Sequence, residues 1–102
     1  MPTQSSVKEK TMIGVKEPRL YNVIMLNDDF TPMNFVVDIL MDIFHKDKPT
    51  AETLMLTVHK SGKAVVAKYP YDIANTKANE AMSRAKAEGY PFRLTVSEED
   101  QG

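Results

Sequence analysis

Apolar and polar residues alternate in two short segments of this 102-residue chain, a third short segment is apolar at its centre, and apolar residues recur at every third or fourth position in the segments between them. Alternation is typical of half-buried strands, and spacing by three or four residues is typical of amphipathic helices. The strand-like segments are LYNVIML from Leu20, KAVVAKY from Lys63 and FRLTVSE from Phe92. In the first of them, Tyr21, Val23 and Met25 are predicted to share one face, and Ile24 and Leu26 to contribute to the other. Two helical segments lie between the first and second strands and one between the second and third. The predicted order is therefore β-α-α-β-α-β.

Three strands in this order predict an α+β fold rather than a doubly wound α/β fold, which needs a larger parallel sheet. We expect a single small domain with a three-stranded antiparallel sheet and three helices packed on one face. A chain of 102 residues suffices for one hydrophobic core and is short for two. The predicted core spans residues 19–97, after a flexible polar extension (1–18) and before a short acidic tail (98–102).

Cap and turn residues predict where the helices begin and end. Thr31 and Pro32 fit a helix start, because threonine can accept the free backbone N–H groups and proline suits the first helical position. The first helix is predicted to end near HKDKP, and Pro49 and Thr50 are predicted to begin the second. Gly62 is predicted to end the second helix and Gly89 the third.

Composition excludes several classes of function. Lys and Arg total 13 against 14 Asp and Glu, so the net charge of −1 predicts no binding to nucleic acid or to an anionic membrane. The absence of cysteine excludes disulfides, thiolate metal sites and cysteine nucleophiles. The apolar stretches are short, and the first residues lack the apolar region of a signal peptide. We therefore predict a cytoplasmic protein.

The stretch NDDFTPMNF places Asn27, Asp28 and Asp29 between the first strand and the first helix. Such acceptors can satisfy the backbone of a turn and lie favourably near a helix start. With Thr31 as the predicted cap, three adjacent acceptors exceed what one turn requires, and they are free to receive a small cation. A metal site with His59 is the alternative, but no HExxH or DxDxDG motif accompanies it, so no metal or cofactor is predicted.

Histidine and methionine positions leave two interpretations each. The pattern around His59 favours a histidine at the edge of the core, hydrogen-bonded to a carbonyl, whereas His45 falls on a polar stripe and is expected to be exposed. Met33 and Met55 can fill gaps in the core. Methionine also lines pockets that adapt to different apolar guests.

The stretch VIMLNDDFTPMNFVVDIL closely resembles the ClpS adaptor family, whose hallmark is NDD-x-TPM-x-FV between the first strand and the first helix. The segments LMLTVHKSGKAVV and ANTK add to the resemblance. It covers about residues 20 to 96, and the combination of motifs is far more specific than any one of them.

The resemblance implies an adaptor rather than an enzyme. Members bind proteins through an N-terminal Phe, Tyr, Trp or Leu and deliver them to a ClpA-type AAA+ unfoldase, through its N-terminal domain, and to the associated peptidase. By the resemblance, Asn27, Asp28 and His59 receive the free α-amine. The residues implied to form or support the side-chain pocket are Asp29, Thr31, Met33, Val36, Met55, Val58 and Phe92. Asp72 and Lys77 are implied to face the unfoldase.

The chain departs from the family pattern at three positions. Phe92 stands where leucine is common, Asp72 where many relatives have glutamate, and Asn34 where glutamate is frequent. The last change removes the reciprocal partner of a Thr31 cap.

Two other functions stay open on residue patterns alone. One is a small hydrolase or metal enzyme that uses Asp28, Asp29 and His59. The other is an interaction domain like that of the ribosomal stalk, which has a similar element order but does not need the acidic cluster.

Overall fold

The computed structural model describes residues 18–99. The described elements follow the predicted order, and their bounds are β1 (Leu20–Leu26), α1 (Met33–Asp42), α2 (Lys48–Ser61), β2 (Lys63–Pro70), α3 (Tyr71–Ala87) and β3 (Arg93–Glu98). The predicted α+β class and element order are confirmed. The flexible extension predicted for residues 1–18 lies outside the described residues, except for its last position.

The three strands form one antiparallel sheet in the order β2-β1-β3. Met25 of the central strand lies opposite Ala64 in β2 and Leu94 in β3. The register with β2 shifts between Val23 and Ile24. Val23 and Met25 are fully buried, as their predicted alternation requires, because successive side chains of a strand point to opposite faces. The helices pack on the face to which these two residues point.

The apolar faces of α3 and α1 complete the core. Four alanines of α3 recur at helical spacing and are buried, at Ala74, Ala78, Ala81 and Ala85. Alanine has a small side chain, so this helix can lie close to the sheet. From α1, Ile39 and Leu40 are fully buried and Val36 nearly so.

The predicted start of α1 is wrong by one residue, and Thr31 is not its N-cap. Pro32 occupies that position, and no side chain makes a capping hydrogen bond there. The hydroxyl of Thr31 donates instead to the carboxylate of Asp28 (2.8 Å). Threonine before proline fits a cap in sequence, but here the aspartate three residues earlier competes successfully for the hydroxyl.

The first helix also ends before the predicted HKDKP segment. Its last residue is Asp42, with Ile43 as C-cap. His45 has a left-handed backbone (φ +58°), and the N–H of Lys46 donates to the carbonyl of Leu40 (3.0 Å). A left-handed residue stops a helix because it turns the chain out of the helical path. His45 is exposed, as predicted.

The second helix has both of its ends capped. It begins at Lys48, one residue before the predicted start, and the carboxylate of Asp47 accepts a hydrogen bond from the N–H of Thr50 (3.0 Å). Gly62 closes the helix with a left-handed backbone (φ +89°), as predicted. Gly89, after α3, is also left-handed (φ +84°).

The third strand runs to Glu98, one residue into the segment predicted to be a tail. The N–H of Glu99 donates to the carbonyl of Leu20 (3.1 Å), and Lys68 donates to its carboxylate (2.8 Å). Among residues 18–99, no helix has the length and apolar character needed to cross a bilayer. The cytoplasmic location stays a prediction.

Candidate functional site

The turn between β1 and α1 begins at Asn27, which is tied to the end of α2. Its backbone N–H donates to the carbonyl of Gly62 (2.9 Å). Glycine adopts the left-handed backbone of position 62 without strain, so the carbonyl can face β1. The exposed side chain of Asn27 therefore stands where the first strand and the second helix meet.

Asp28 holds the rest of this turn. Its Oδ1 accepts hydrogen bonds from the N–H groups of Phe30 (2.8 Å) and Thr31 (2.7 Å), and its Oδ2 accepts from the Thr31 hydroxyl (2.8 Å). Partial burial acts to raise the pKa of Asp28, but these hydrogen bonds outweigh it and hold the pKa below its usual value.

The expectation that a Thr31 cap would leave Asp28 free is therefore wrong in part. A carboxylate offers about four acceptor positions, and the turn occupies three of them. One position on Oδ2 remains for a further donor. Asp28 thus anchors the turn and can still accept one hydrogen bond from a ligand.

Ten side chains that the sequence resemblance assigned to binding line one cavity of about 160 Å³. They come from the turn after β1, from α1 and α2, and from the residue before β3. The ten residues are Asn27, Asp28, Asp29, Thr31, Met33, Val36, Met55, Val58, His59 and Phe92. The structure brings all ten together, although their individual roles stay predictions. Leu26 also lines the cavity and was not selected from the sequence, because its alternation assigned it only to the outer face of β1.

The cavity is apolar at its floor and polar at its rim. Val36, Val58 and Phe92 are each no more than 8% exposed, so they form the floor. The rim consists of exposed side chains, three of them polar (Asn27, Asp29 and His59) and one apolar (Met33). This arrangement suits a ligand with a polar end and an apolar side chain.

Aromatic packing supports the floor from below. The ring of Phe35 contacts that of Phe92 edge-on, with centroids 6.0 Å apart, and contacts Tyr90 in the same way at 4.9 Å. Such edge-to-face pairs are favourable beyond the area that they bury. Sequence reasoning did not include Phe35 or Tyr90 in the site.

The pattern around His59 favoured a histidine at the edge of the core, and the structure does not confirm this. Its side chain is exposed, and within residues 18–99 it has no hydrogen bond to a carbonyl. Asp29 likewise has no side-chain partner in the described chain. Both side chains are therefore available at the rim for a ligand.

The described residues contain no cluster of side chains suited to bind a metal ion. Residues 18–99 contain no group of three His, Asp or Glu side chains that could hold an ion. Asp28, one of the three candidate ligands, already accepts three hydrogen bonds from its own turn.

Asp72 and Lys77 lie on α3, outside the cavity lining. Asp72 is exposed in the first turn of the helix. Lys77 is half-buried, and its ammonium group donates to the carbonyl of Ile43 (2.8 Å) and lies 5.4 Å from the centre of the Tyr69 ring. Lys77 thus connects α3 to the carbonyl end of α1.

Comparisons with known proteins agree on one family. The family model described as ATP-dependent Clp protease adaptor protein ClpS matches residues 16–95. The ATP-dependent Clp protease adapter protein ClpS of Treponema denticola is 47% identical over 98 residues, which cover 94% of this chain and 97% of that protein. The ClpS protein of Burkholderia mallei is 43% identical over 94 residues, covering 92% of this chain and 90% of that one.

A solved structure is also similar over the whole of its length. Agrobacterium tumefaciens ClpS2 bound to L-phenylalaninamide matches with a TM-score of 0.79 and 42% identity, covering 81% of this chain and 100% of that one. Fold, family and relatives together define an adaptor of a protease rather than an enzyme. The chain belongs to the ClpS family. The predicted family and the adaptor class are confirmed.

Proposed function

We propose that this adaptor binds proteins that begin with Phe, Tyr, Trp or Leu and delivers them to a ClpA-type unfoldase and its peptidase. The observation that carries the proposal is one cavity with hydrogen-bond acceptors at its rim and apolar side chains at its floor. The rim recognises the free α-amine, and the floor recognises the first side chain.

The rim matches the chemistry of a protein N-terminus. An α-amine has a pKa of about 7.7 to 8.0, so much of it is cationic near neutral pH. When it leaves water, its N–H donors need acceptors. Asn27, the remaining position on Asp28 and one ring nitrogen of neutral His59 can supply them. Asp29 adds a negative charge beside them.

The volume of the whole cavity matches the size of one apolar side chain. An apolar cavity of about 150 Å³ in another protein holds benzene, so about 160 Å³ accommodates a phenyl ring or a leucine side chain. Burying that side chain contributes about 2–3 kcal/mol, before the cost of ordering the peptide is subtracted.

The similar Agrobacterium structure supports the proposal through its ligand. L-phenylalaninamide has a free α-amine and a benzyl side chain. These are the two groups for which the rim and the floor of this cavity are suited.

The test of binding uses two labelled peptides that differ only at the amine. A peptide beginning with Phe should bind this protein, and its N-acetylated form should bind about 10- to 100-fold more weakly, because hydrogen bonds to a charged group are lost. Fluorescence anisotropy measures both affinities, and a Gly-initiated peptide controls for the side chain. Equal affinity for the free and acetylated peptides would overturn the proposal.

Delivery is proposed to depend on Asp72 and Lys77 of α3. Because Lys77 already contacts Ile43 and Tyr69, Asp72 gives the cleaner test. Asp72→Lys should leave peptide binding unchanged and slow degradation of a Phe-initiated protein by the unfoldase and peptidase. Glu88→Lys, at the other end of α3, is the matched charge reversal and should degrade the substrate normally. Loss of degradation in both variants or in neither would contradict this role.

A further inference from the structure

An aromatic ring closes part of the floor of the cavity. Phe92 lines the cavity, and its side chain is only 4% exposed. The next residue, Arg93, begins β3 and lies opposite Leu26 of the central strand, which also lines the cavity. The sheet therefore fixes the backbone on which the Phe92 ring is carried.

The ring of Phe92 has little freedom to move aside for a ligand. Phe35 of α1 contacts it edge-on, with the ring planes at 89° and the centroids 6.0 Å apart. The ring of Phe35 is in turn held by Tyr90, at 4.9 Å and 72°. Displacing a closely packed ring disturbs its neighbours as well, so the floor resists deformation. Phe92 is thus a firm boundary of the cavity.

The volume of the cavity limits the size of the first side chain of a bound peptide. An apolar cavity of about 150 Å³ in another protein holds one benzene ring, and this cavity has about 160 Å³. A phenyl ring or a leucine side chain therefore fills it. The indole of tryptophan has a second fused ring, which enters only if the floor is displaced, and overpacking of this kind is unfavourable.

The floor also lacks a side-chain partner for the hydroxyl of tyrosine. Val36, Val58 and Phe92 carry no hydrogen-bonding group in their side chains. The hydrogen-bonding side chains that line the cavity in the described chain belong to the turn after β1 and to His59. A hydroxyl pushed against the floor loses its water without gaining a side-chain partner, which is unfavourable.

We propose that Phe92 limits the depth of the cavity and makes this adaptor prefer Phe and Leu to Tyr and Trp as the first residue of a substrate. The inference rests on the proposed function of the cavity and ranks its ligands. A phenyl ring also gains an aromatic contact with Phe92, which leucine cannot make. The expected order of affinity is Phe first, Leu second, and Tyr and Trp last.

The first test uses four peptides that differ only in their first residue, which is Phe, Leu, Tyr or Trp. All have a free amine and the same neutral tail, and each competes with a labelled Phe-initiated peptide for the unmodified protein. We expect the Tyr and Trp peptides to bind about tenfold more weakly than the Phe peptide.

Phe92→Leu tests whether the ring sets this limit. The smaller side chain enlarges the cavity and removes the contact with Phe35, so the affinity for the Trp peptide relative to the Phe peptide should rise about tenfold. Phe92→Met, whose flexible side chain can move aside, should shift the ratio in the same direction.

Phe44→Leu is the matched control for Phe92→Leu. Phe44 is buried to the same degree (3% exposed), but its ring stacks on Tyr69 and does not line the cavity. The Trp-to-Phe ratio should therefore stay unchanged in this variant. Because each ratio is measured within one variant, a general loss of stability does not imitate the expected result.

Each result separates this inference from the proposed function. If the four peptides bind the unmodified protein equally well and acetylation weakens all of them, the cavity functions as proposed and the inference about Phe92 is overturned. A ratio that changes in neither Phe92 variant, or that changes as much in Phe44→Leu, also overturns it. If no free-amine Phe peptide binds the unmodified protein, the proposed function itself fails.

Discussion

Asp28 and Asp47 each precede a helix, and each carboxylate accepts a hydrogen bond from the backbone N–H three residues later. At Asp47 that N–H belongs to the first turn of α2, so the bond caps the helix. At Asp28 it belongs to Thr31, before α1 begins, so the bond closes a turn at the rim of the cavity. The start of α1 is left without a side-chain cap.

This difference shows where local rules are followed and where they are broken. The second helix has a favourable residue at each end, whereas the first has Pro32 at its start and a left-handed histidine after its end. Natural proteins commonly violate such rules near functional sites. The uncapped start of α1 is the segment that carries Met33 and Val36 into the cavity.

The largest effect that should separate the two aspartates is on peptide binding. Asp28→Ala removes the turn anchor and one proposed acceptor for the amine, so we expect Phe-initiated peptides to bind about 10- to 100-fold more weakly. Asp47→Ala should lower Tm by a few degrees through loss of the cap and leave the Kd unchanged. Anisotropy and thermal unfolding measure the two effects. Similar losses of binding in both variants would refute the distinction.

Met33 gives a somewhat smaller effect on selectivity. Its exposed side chain at the rim is expected to clash with the wider Cβ of a first residue such as Val or Ile, so Met33→Ala should reduce their disadvantage relative to Phe by about tenfold. Competition binding with Val- and Phe-initiated peptides measures the ratio. Ile73→Ala on α3 removes a side chain of similar exposure (46% against 45%) and should leave it unchanged. Undiminished rejection of Val by Met33→Ala would contradict a gating role.

The two helix ends provide a test of stability. Gly62 follows α2 in the left-handed region without cost, whereas His45 adopts the same region after α1 with a side chain. His45→Gly should therefore raise the free energy of unfolding by about 1 kcal/mol, without affecting peptide binding. Urea denaturation measures the change. An unchanged or lower stability would show that the His45 side chain offsets the backbone strain.

The smallest effect concerns acid pH. The pKa values of Asp28 and Asp47 are both lowered. At Asp28, partial burial acts to raise the pKa, but hydrogen bonds from Phe30 and Thr31 outweigh it. At Asp47, hydrogen bonds from the hydroxyl and the N–H of Thr50 lower the pKa. A lowered pKa in the folded state stabilises the protein above the unfolded value of about 3.9, and this stability is lost as the pH falls through the folded pKa. For the partly exposed Asp28 we expect less than about 1 kcal/mol.

Asp28→Asn is the variant that tests this pH dependence. The amide oxygen can still accept from the turn but does not titrate, so the stability difference from the unmodified protein should shrink as the pH falls from about 5 through the lowered pKa of Asp28. Urea denaturation across this range, with Asp47→Asn in parallel, provides the comparison. A difference that is constant with pH would indicate that the Asp28 charge does not contribute.

Much of the fold could be predicted because its signals are local. The alternation in β1 correctly assigned Val23 and Met25 to the core, and Gly62 was recognised as a helix end. The error at the start of α1 arose where two hydrogen-bond partners compete. Thr31 fits a helix cap in sequence, but its hydroxyl bonds to Asp28, and no spacing rule decides between those partners.

The candidate site required information of a different kind. Family resemblance named its residues, whereas periodicity alone favoured a core-edge role for His59, which is exposed. Leu26 and the aromatic support from Phe35 and Tyr90 were missed, because a residue at the end of a strand and a ring beneath a floor look like ordinary core positions in sequence.

By itself, the sequence determined the order of the elements and the family, because apolar spacing, turn residues and motifs are properties of short segments. Only the tertiary structure decided that Val36, Val58 and Phe92 form one floor, since they come from three separate segments that meet through packing. It also decided that Asp28 keeps one free acceptor position. That outcome depends on hydrogen bonds that compete in three dimensions.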